Sequence, residues 1–121
     1  MPTSEEKKRD AFLKKLASIG SGDPATLNKK VAKMIATAGY VQYLGYVSHA
    51  GIQKNSAGIE NYFVSFMDTG YNGASCSGGW PDWAFPIARE CVLHGKKLWM
   101  IADGSPCGHN LIAVAIYHES V

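Results

Sequence analysis

Two groups of residues in this 121-residue sequence could do chemistry: thiols with histidines, and indoles beside a carboxylate. Cys76 lies within Gly70-Tyr-Asn-Gly-Ala-Ser-Cys-Ser-Gly-Gly-Trp-Pro-Asp-Trp83, where four of fourteen residues are glycine. A thiol there can act as a nucleophile if a base lies in hydrogen-bond reach and something lowers its pKa. His49, His94, His109 and His118 are the available bases, and their spacing singles out none of them. The same cysteine can equally be an inert thiol or half of a disulfide. Cys107-Gly-His109 offers two soft ligands and Cys76 could add a third, but zinc normally takes four well-spaced ligands. There is no CxxC or HxxxH spacing. No catalytic set, metal or cofactor is assigned on this pattern. Cys91 falls on the apolar side of a helical stretch and reads as core. An odd count of three cysteines fits a cytosolic protein with free thiols, or one disulfide plus one buried thiol.

Trp80 and Trp83 flank Pro81-Asp82. Aromatic rings near a carboxylate in a loop suit a sugar or a nucleobase: the ring stacks on a flat face, and Asp or Asn fixes hydroxyl or amine positions. The expected ligand site therefore joins the Tyr71–Trp83 loop to the Asp103–Asn110 turn and uses Tyr71, Asn72, Trp80, Asp82, Trp83, His109 and Asn110. The competing reading has both indoles closing the end of a small core. Trp99, in an apolar strand, reads as structural. Asp68 and Asp103 share only a position at strand ends.

The elements that must carry these residues can be read from periodicity. Residues 4–19 have Phe12, Leu16 and Ile19 at helical spacing, with Ser4 as the expected N-cap. Asp23-Pro24 opens a second helix as N-cap and first helical residue, and Gly39 closes it. From Tyr40 the pattern turns to aromatic and β-branched residues, so residues 40–48 and 61–68 read as strands joined by a polar tip at 51–58. Gly45 suggests a bulge or bend. A short strand near 74–77 follows. A helix then starts near Asp82 or Pro86 and ends at Gly95. Strands 98–102 and 111–117 flank the Asp103–Asn110 turn. The order αα-β-β-β-α-β-β, with a helix between the third and fourth of five strands, is that of an OB-type barrel. An open antiparallel sheet with helices on one face is the alternative. The expectation is an α+β protein: an N-terminal helical hairpin (1–39) and an OB-like, mostly antiparallel small β-barrel (40–121), together one domain.

The residues from 40 to 118 resemble the small OB-fold B subunits of A–B type bacterial toxins of the subtilase-cytotoxin kind. The likeness rests on a Cys before the helix (Cys76), small residues and a Gly-Lys at the helix end (Ala88, Gly95-Lys96), an apolar strand (Leu98–Ile101), a second Cys in the next turn (Cys107) and a last strand (Ile112–Ile116). It implies an OB barrel, a Cys76–Cys107 disulfide, ring-shaped homo-oligomers and glycan binding.

Composition limits the partners. The apolar and charged fractions, 46% and 18%, are those of an ordinary globular chain. Eight of twelve basic residues precede residue 39, while residues 40–121 hold four basic against six acidic ones. The N-terminal lysines read as a solvated face, with nucleic acid or a protein partner as the alternative use. No run approaches the roughly 20 apolar residues of a membrane helix. MPTSEEKKRD lacks the apolar core of a signal peptide, which suits a cytoplasmic protein or a mature secreted form. The expected function is a non-enzymatic, homo-oligomeric module for a small polar ligand, a glycan or a nucleotide. A small hydrolase or transferase using Cys76 with a His is the alternative.

Overall fold

The computed structural model describes residues 3–58, 60–71 and 73–117. The chain divides into two compact units, Met1–Tyr40 and Val41–Val121.

The first unit is the helical hairpin. Helix α1 spans Ser4–Ala17, and its N-cap is Thr3 rather than Ser4: the Thr3 hydroxyl accepts the Glu6 N–H at 3.1 Å. Glu5 and Glu6 at the start and Lys14 and Lys15 at the end complement the helix dipole. Helix α2 spans Pro24–Ala38 and begins as its sequence dictates. The Asp23 carboxylate accepts the Thr26 N–H at 3.2 Å and the Thr26 hydroxyl, and these bonds hold its pKa below the usual value. Gly39 ends the helix at φ 79°. Tyr40 follows, and the Phe12 ring meets it edge-on at 5.1 Å.

The second unit is a five-stranded antiparallel sheet with one long helix. Its strands are β1 (Val41–Lys54), β2 (Glu60–Asp68), β3 (Ser75–Trp80), β4 (Lys97–Ala102) and β5 (Leu111–Tyr117), and helix α3 (Phe85–His94) lies between β3 and β4. A 3-10 turn, Gly108–Asn110, precedes β5. The spatial order is β3-β2-β1-β4-β5, so the sheet is open, with β3 and β5 at its edges. The α+β class holds, whereas the closed ladder expected of a barrel is not formed among the described residues.

Strand β1 is longer than its sequence suggested. Residues 51–54 continue it, pairing as far as Lys54 with Glu60, so the polar tip shrinks to the turn after Lys54. Backbone pairing outweighs the polar side chains there. The register shift falls between Val47 and His49 rather than at Gly45. Gly45 does something else: it pairs with both Asp68 of β2 and Leu98 of β4, at the point where β1 passes from one partner to the other. A Cβ on Gly45 would lie 1.9 Å from the Met67 carbonyl oxygen, so only glycine permits this approach. Helix α3 starts at Phe85 with Ala84 as N-cap and no side-chain cap, because the turn from Pro81 supplies its first backbone bonds. Asp82 is therefore exposed and not the cap.

Between sheet and helix lies the core. Ala84 at the N-cap of α3 and Ala88 and Cys91 within it, at helical spacing, meet Tyr43, Val47, Val64, Phe66, Leu98 and Met100 from one face of the sheet. Phe85 stacks on Tyr62 at 4.4 Å. Replacing Gly45 by Ala forces backbone apart in the middle of this sheet. The expected cost is about 2–3 kcal/mol, the upper range for overpacking, read as a lowered thermal midpoint; an unchanged melt would refute the close-approach argument.

Candidate functional site

The cysteines are settled by geometry. Cys76 on β3 and Cys107 before the 3-10 turn form a disulfide with Cα atoms 5.4 Å apart. This is the pairing the toxin-subunit likeness implied. It also removes the nucleophile from the cysteine-enzyme reading, since Cys76 has no thiol to activate. The remaining thiol, Cys91, is buried, donates to the Lys97 carbonyl at 3.6 Å, and has its pKa pushed up to about 11 by burial and then by the neighbouring Glu90 charge. A buried, protonated thiol is a core group and not a reagent. His49 meets Ser48 at 3.0 Å and His94 meets Glu90 at 3.1 Å, both local contacts. His118 lies outside the described residues. Among the described residues no three of His, Cys, Asp and Glu converge.

The residues expected to form one ligand site are divided by the fold. Tyr71 follows the Asp68 end of β2, and Trp83 follows the far end of β3, which pairs Trp80 with Tyr62 and Ser75 with Met67. Six residues of strand, roughly 17–20 Å, separate the two ends. Trp80 is 6% exposed and belongs to the core, so it cannot stack on a ligand. Gly108 packs on it: a Cβ there would lie 2.8 Å from the Trp80 ring and 1.9 Å from the Gly79 carbonyl oxygen. Trp83, Asp82 and His109 are exposed. Asn110 spends its amide inside its own turn, donating to Ser105 O and Ser105 Oγ at 3.1 Å. Asn72 lies outside the described residues. Tyr43, whose hydroxyl donates to the Gly104 carbonyl at 2.5 Å, holds the same turn from the core.

A different surface gathers aromatic residues. On the sheet face away from α3, strand alternation places Leu44 and Tyr46 of β1, Met67 of β2, Lys97 and Trp99 of β4, and Tyr117 of β5 on one side. Register sets Met67 beside Tyr46, Lys97 beside Tyr117, and Trp99 beside Leu44. The Lys97 ammonium stands 5.4 Å over the Tyr46 ring. Tyr46, Met67 and Tyr71 are each about half exposed, at 47%, 58% and 52%. Trp99 is half-buried, and its indole N–H donates to Gln42 at 3.1 Å. The Tyr71 phenol is held above its ordinary pKa by burial first and by Tyr117 second, with a Trp99 hydrogen bond working the other way, so it stays a neutral donor at pH 7. Further along, Ser65 and Ser77 hydroxyls meet at 2.6 Å.

Asp68 positions the loop that carries Tyr71. Its carboxylate is 2% exposed and accepts N–H groups from Leu44 (2.7 Å), Gly73 (2.9 Å) and Tyr71 (3.1 Å). Sequence reasoning missed this surface because it looked for aromatics in loops. The available signal was in β1, where tyrosines at positions 43 and 46 fall on opposite faces, so one of them must leave the core.

No protein-family model, curated protein or solved structure matches this chain.

The thiol assignment predicts a labelling pattern. Without reductant, native protein at pH 7.5 should take up no iodoacetamide, unfolded protein one equivalent, and reduced unfolded protein three. Fast labelling of native protein would reinstate a reactive cysteine. Because folding raises the Cys91 pKa from 9.0 to about 11, the folded state keeps its full contribution below pH 9 and loses it as pH rises through 11.

Proposed function

We propose that residues 41–121 are a non-catalytic glycan-binding module of OB type, with the sugar lying on the aromatic sheet face. The observation that carries this reading is the exposed row of Met67, Tyr46 and Tyr71 with Trp99, Tyr117 and Lys97 on adjoining strands. Flat apolar faces beside neutral hydroxyl donors suit a pyranose ring, which offers both C–H faces and hydroxyl edges. The strand order supports the OB part of the proposal, since β3 and β5 are the edges that would meet on closure of such a barrel. Likeness to toxin B subunits points the same way.

A nucleotide or a nucleic-acid strand is the weaker alternative. Residues 41–121 carry four basic against six acidic groups, the wrong balance for drawing in polyphosphate. The test is a glycan array run beside nucleoside triphosphates and single-stranded DNA, with wild type and Tyr46→Ala. Tyr46 is half exposed, so the variant should melt like wild type while losing roughly ten-fold in glycan affinity, the scale of one aromatic stack. Binding of nucleotides alone, or glycan binding indifferent to Tyr46, would defeat the proposal.

The module is also proposed to self-associate. On the other side of the sheet a groove of about 370 Å³ runs between α3 and the end of β1, bordered by Ile52, Val92 and Leu93. All three are exposed, at 58%, 39% and 61%. A contiguous apolar patch of this kind commonly marks an interface. Light scattering at tens of micromolar, on the order of working concentrations for such interfaces, should give an oligomer, and Leu93→Glu should give a monomer. A monomeric wild type would remove this part of the reading.

A further inference from the structure

The first unit carries an open groove that the glycan reading does not use. It runs between α1 and α2 with a volume of about 560 Å³. Its floor is apolar: Phe12 is buried, and Ile19 and Met34 are half-buried beside it. Met is well suited to such a floor because its unbranched chain repacks around different partners.

The charged residues of the groove are of one sign. Lys8 and Lys15 of α1, seven residues apart, form one rim; Lys30 and Lys33 of α2 form the other. All four are exposed, and among the described residues none has a carboxylate partner. The unit as a whole has eight basic against four acidic residues, and among the described residues no acidic one lines the groove.

Two neighbouring helices with an apolar seam and one open side are a helical bundle lacking a member. Charges that flank such a seam select the incoming helix by opposite charge. We infer that the α1–α2 groove is a docking site for an amphipathic helix of a partner protein whose apolar face is bordered by Glu or Asp. Charge distribution decides against other occupants. A second copy of this hairpin brings its own surplus of lysines. A fatty carboxylate has one charged end, whereas the lysines run along both rims. Nucleic acid has no use for an apolar floor, and among the described residues no aromatic lines the groove besides the buried Phe12. Helix α1 has 14 residues, so a partner helix of three to four turns, about 20 Å, spans the site.

The test uses the full chain and a fluorescent peptide of about 18 residues, about five turns, with Leu at the seam positions and Glu flanking them. A second peptide has Lys in place of Glu. The Glu peptide should bind, with the Lys peptide at least ten-fold weaker. Lys15→Glu with Lys30→Glu should weaken the Glu peptide about ten-fold, as two exposed pairs turn from attraction to repulsion, and should strengthen the Lys peptide. Both lysines are exposed, so the circular dichroism spectrum should not change. A structural role for these lysines would not produce that exchange of preference. Equal binding of both peptides, binding of neither, or displacement of the Glu peptide by oleate or by phosphatidylserine vesicles would each overturn the inference.

Discussion

A single buried carboxylate organises the sheet. Asp68 ends β2 opposite Gly45, where β1 passes from β2 to β4. One oxygen takes the Leu44 N–H; the other takes those of Tyr71 and Gly73. The Leu44 carbonyl in turn receives the N–H groups of Thr69 and Gly70. Burying a carboxylate costs several kcal/mol, and hydrogen bonds to a charged acceptor contribute about 1.5–3 kcal/mol each. Three of them offset that cost and leave a loop fixed in space. Without this acceptor, residues 69–74 have two glycines and little apolar area to hold them. Tyr71 stands beside Trp99 because the loop under it is tied down.

The same constraint separates the two faces of the sheet. With β1 pinned at Gly45, Tyr43 and Val47 turn toward α3 while Leu44 and Tyr46 turn away. Small residues on α3 let the helix lie close to the first face. The second face leaves Tyr46 and Met67 about half exposed, while helix α3 packs on the first. Large apolar residues on both sides of one strand are the physical origin of the exposed aromatic row.

Much of this was legible in the sequence, for local reasons. Asp23-Pro24, Gly39 and Gly95 mark helix ends by chemistry that acts within a few residues, and the structure obeys them. Cys91 follows from helical spacing. The features that were not legible depend on partners far away in sequence. Gly45 looks like a bulge until Met67 is set against it. Residues 51–54 look like a loop until residues 60–63 pair with them. Trp80 and Trp83 look equivalent, but only Trp80 comes under Gly108, and that contact spans 28 positions. Tyr71 and Trp83 part company for the same reason: proximity along the chain puts them together, and an extended β3 sets them beyond its opposite ends.

The third cysteine has a consequence for how the protein matures. Three thiols allow three pairings, and only one is native. β3 is rich in glycine and serine, poor strand formers, whereas α3 and β4 bring compact apolar surface. Once α3 docks, Cys91 is enclosed and its thiolate is suppressed, so it cannot compete in thiol–disulfide exchange. Oxidation is then confined to Cys76 and Cys107, whose Cα atoms lie 5.4 Å apart in the folded chain. Core packing thus acts as a protecting group: it masks one sulfur and leaves the other two to choose each other.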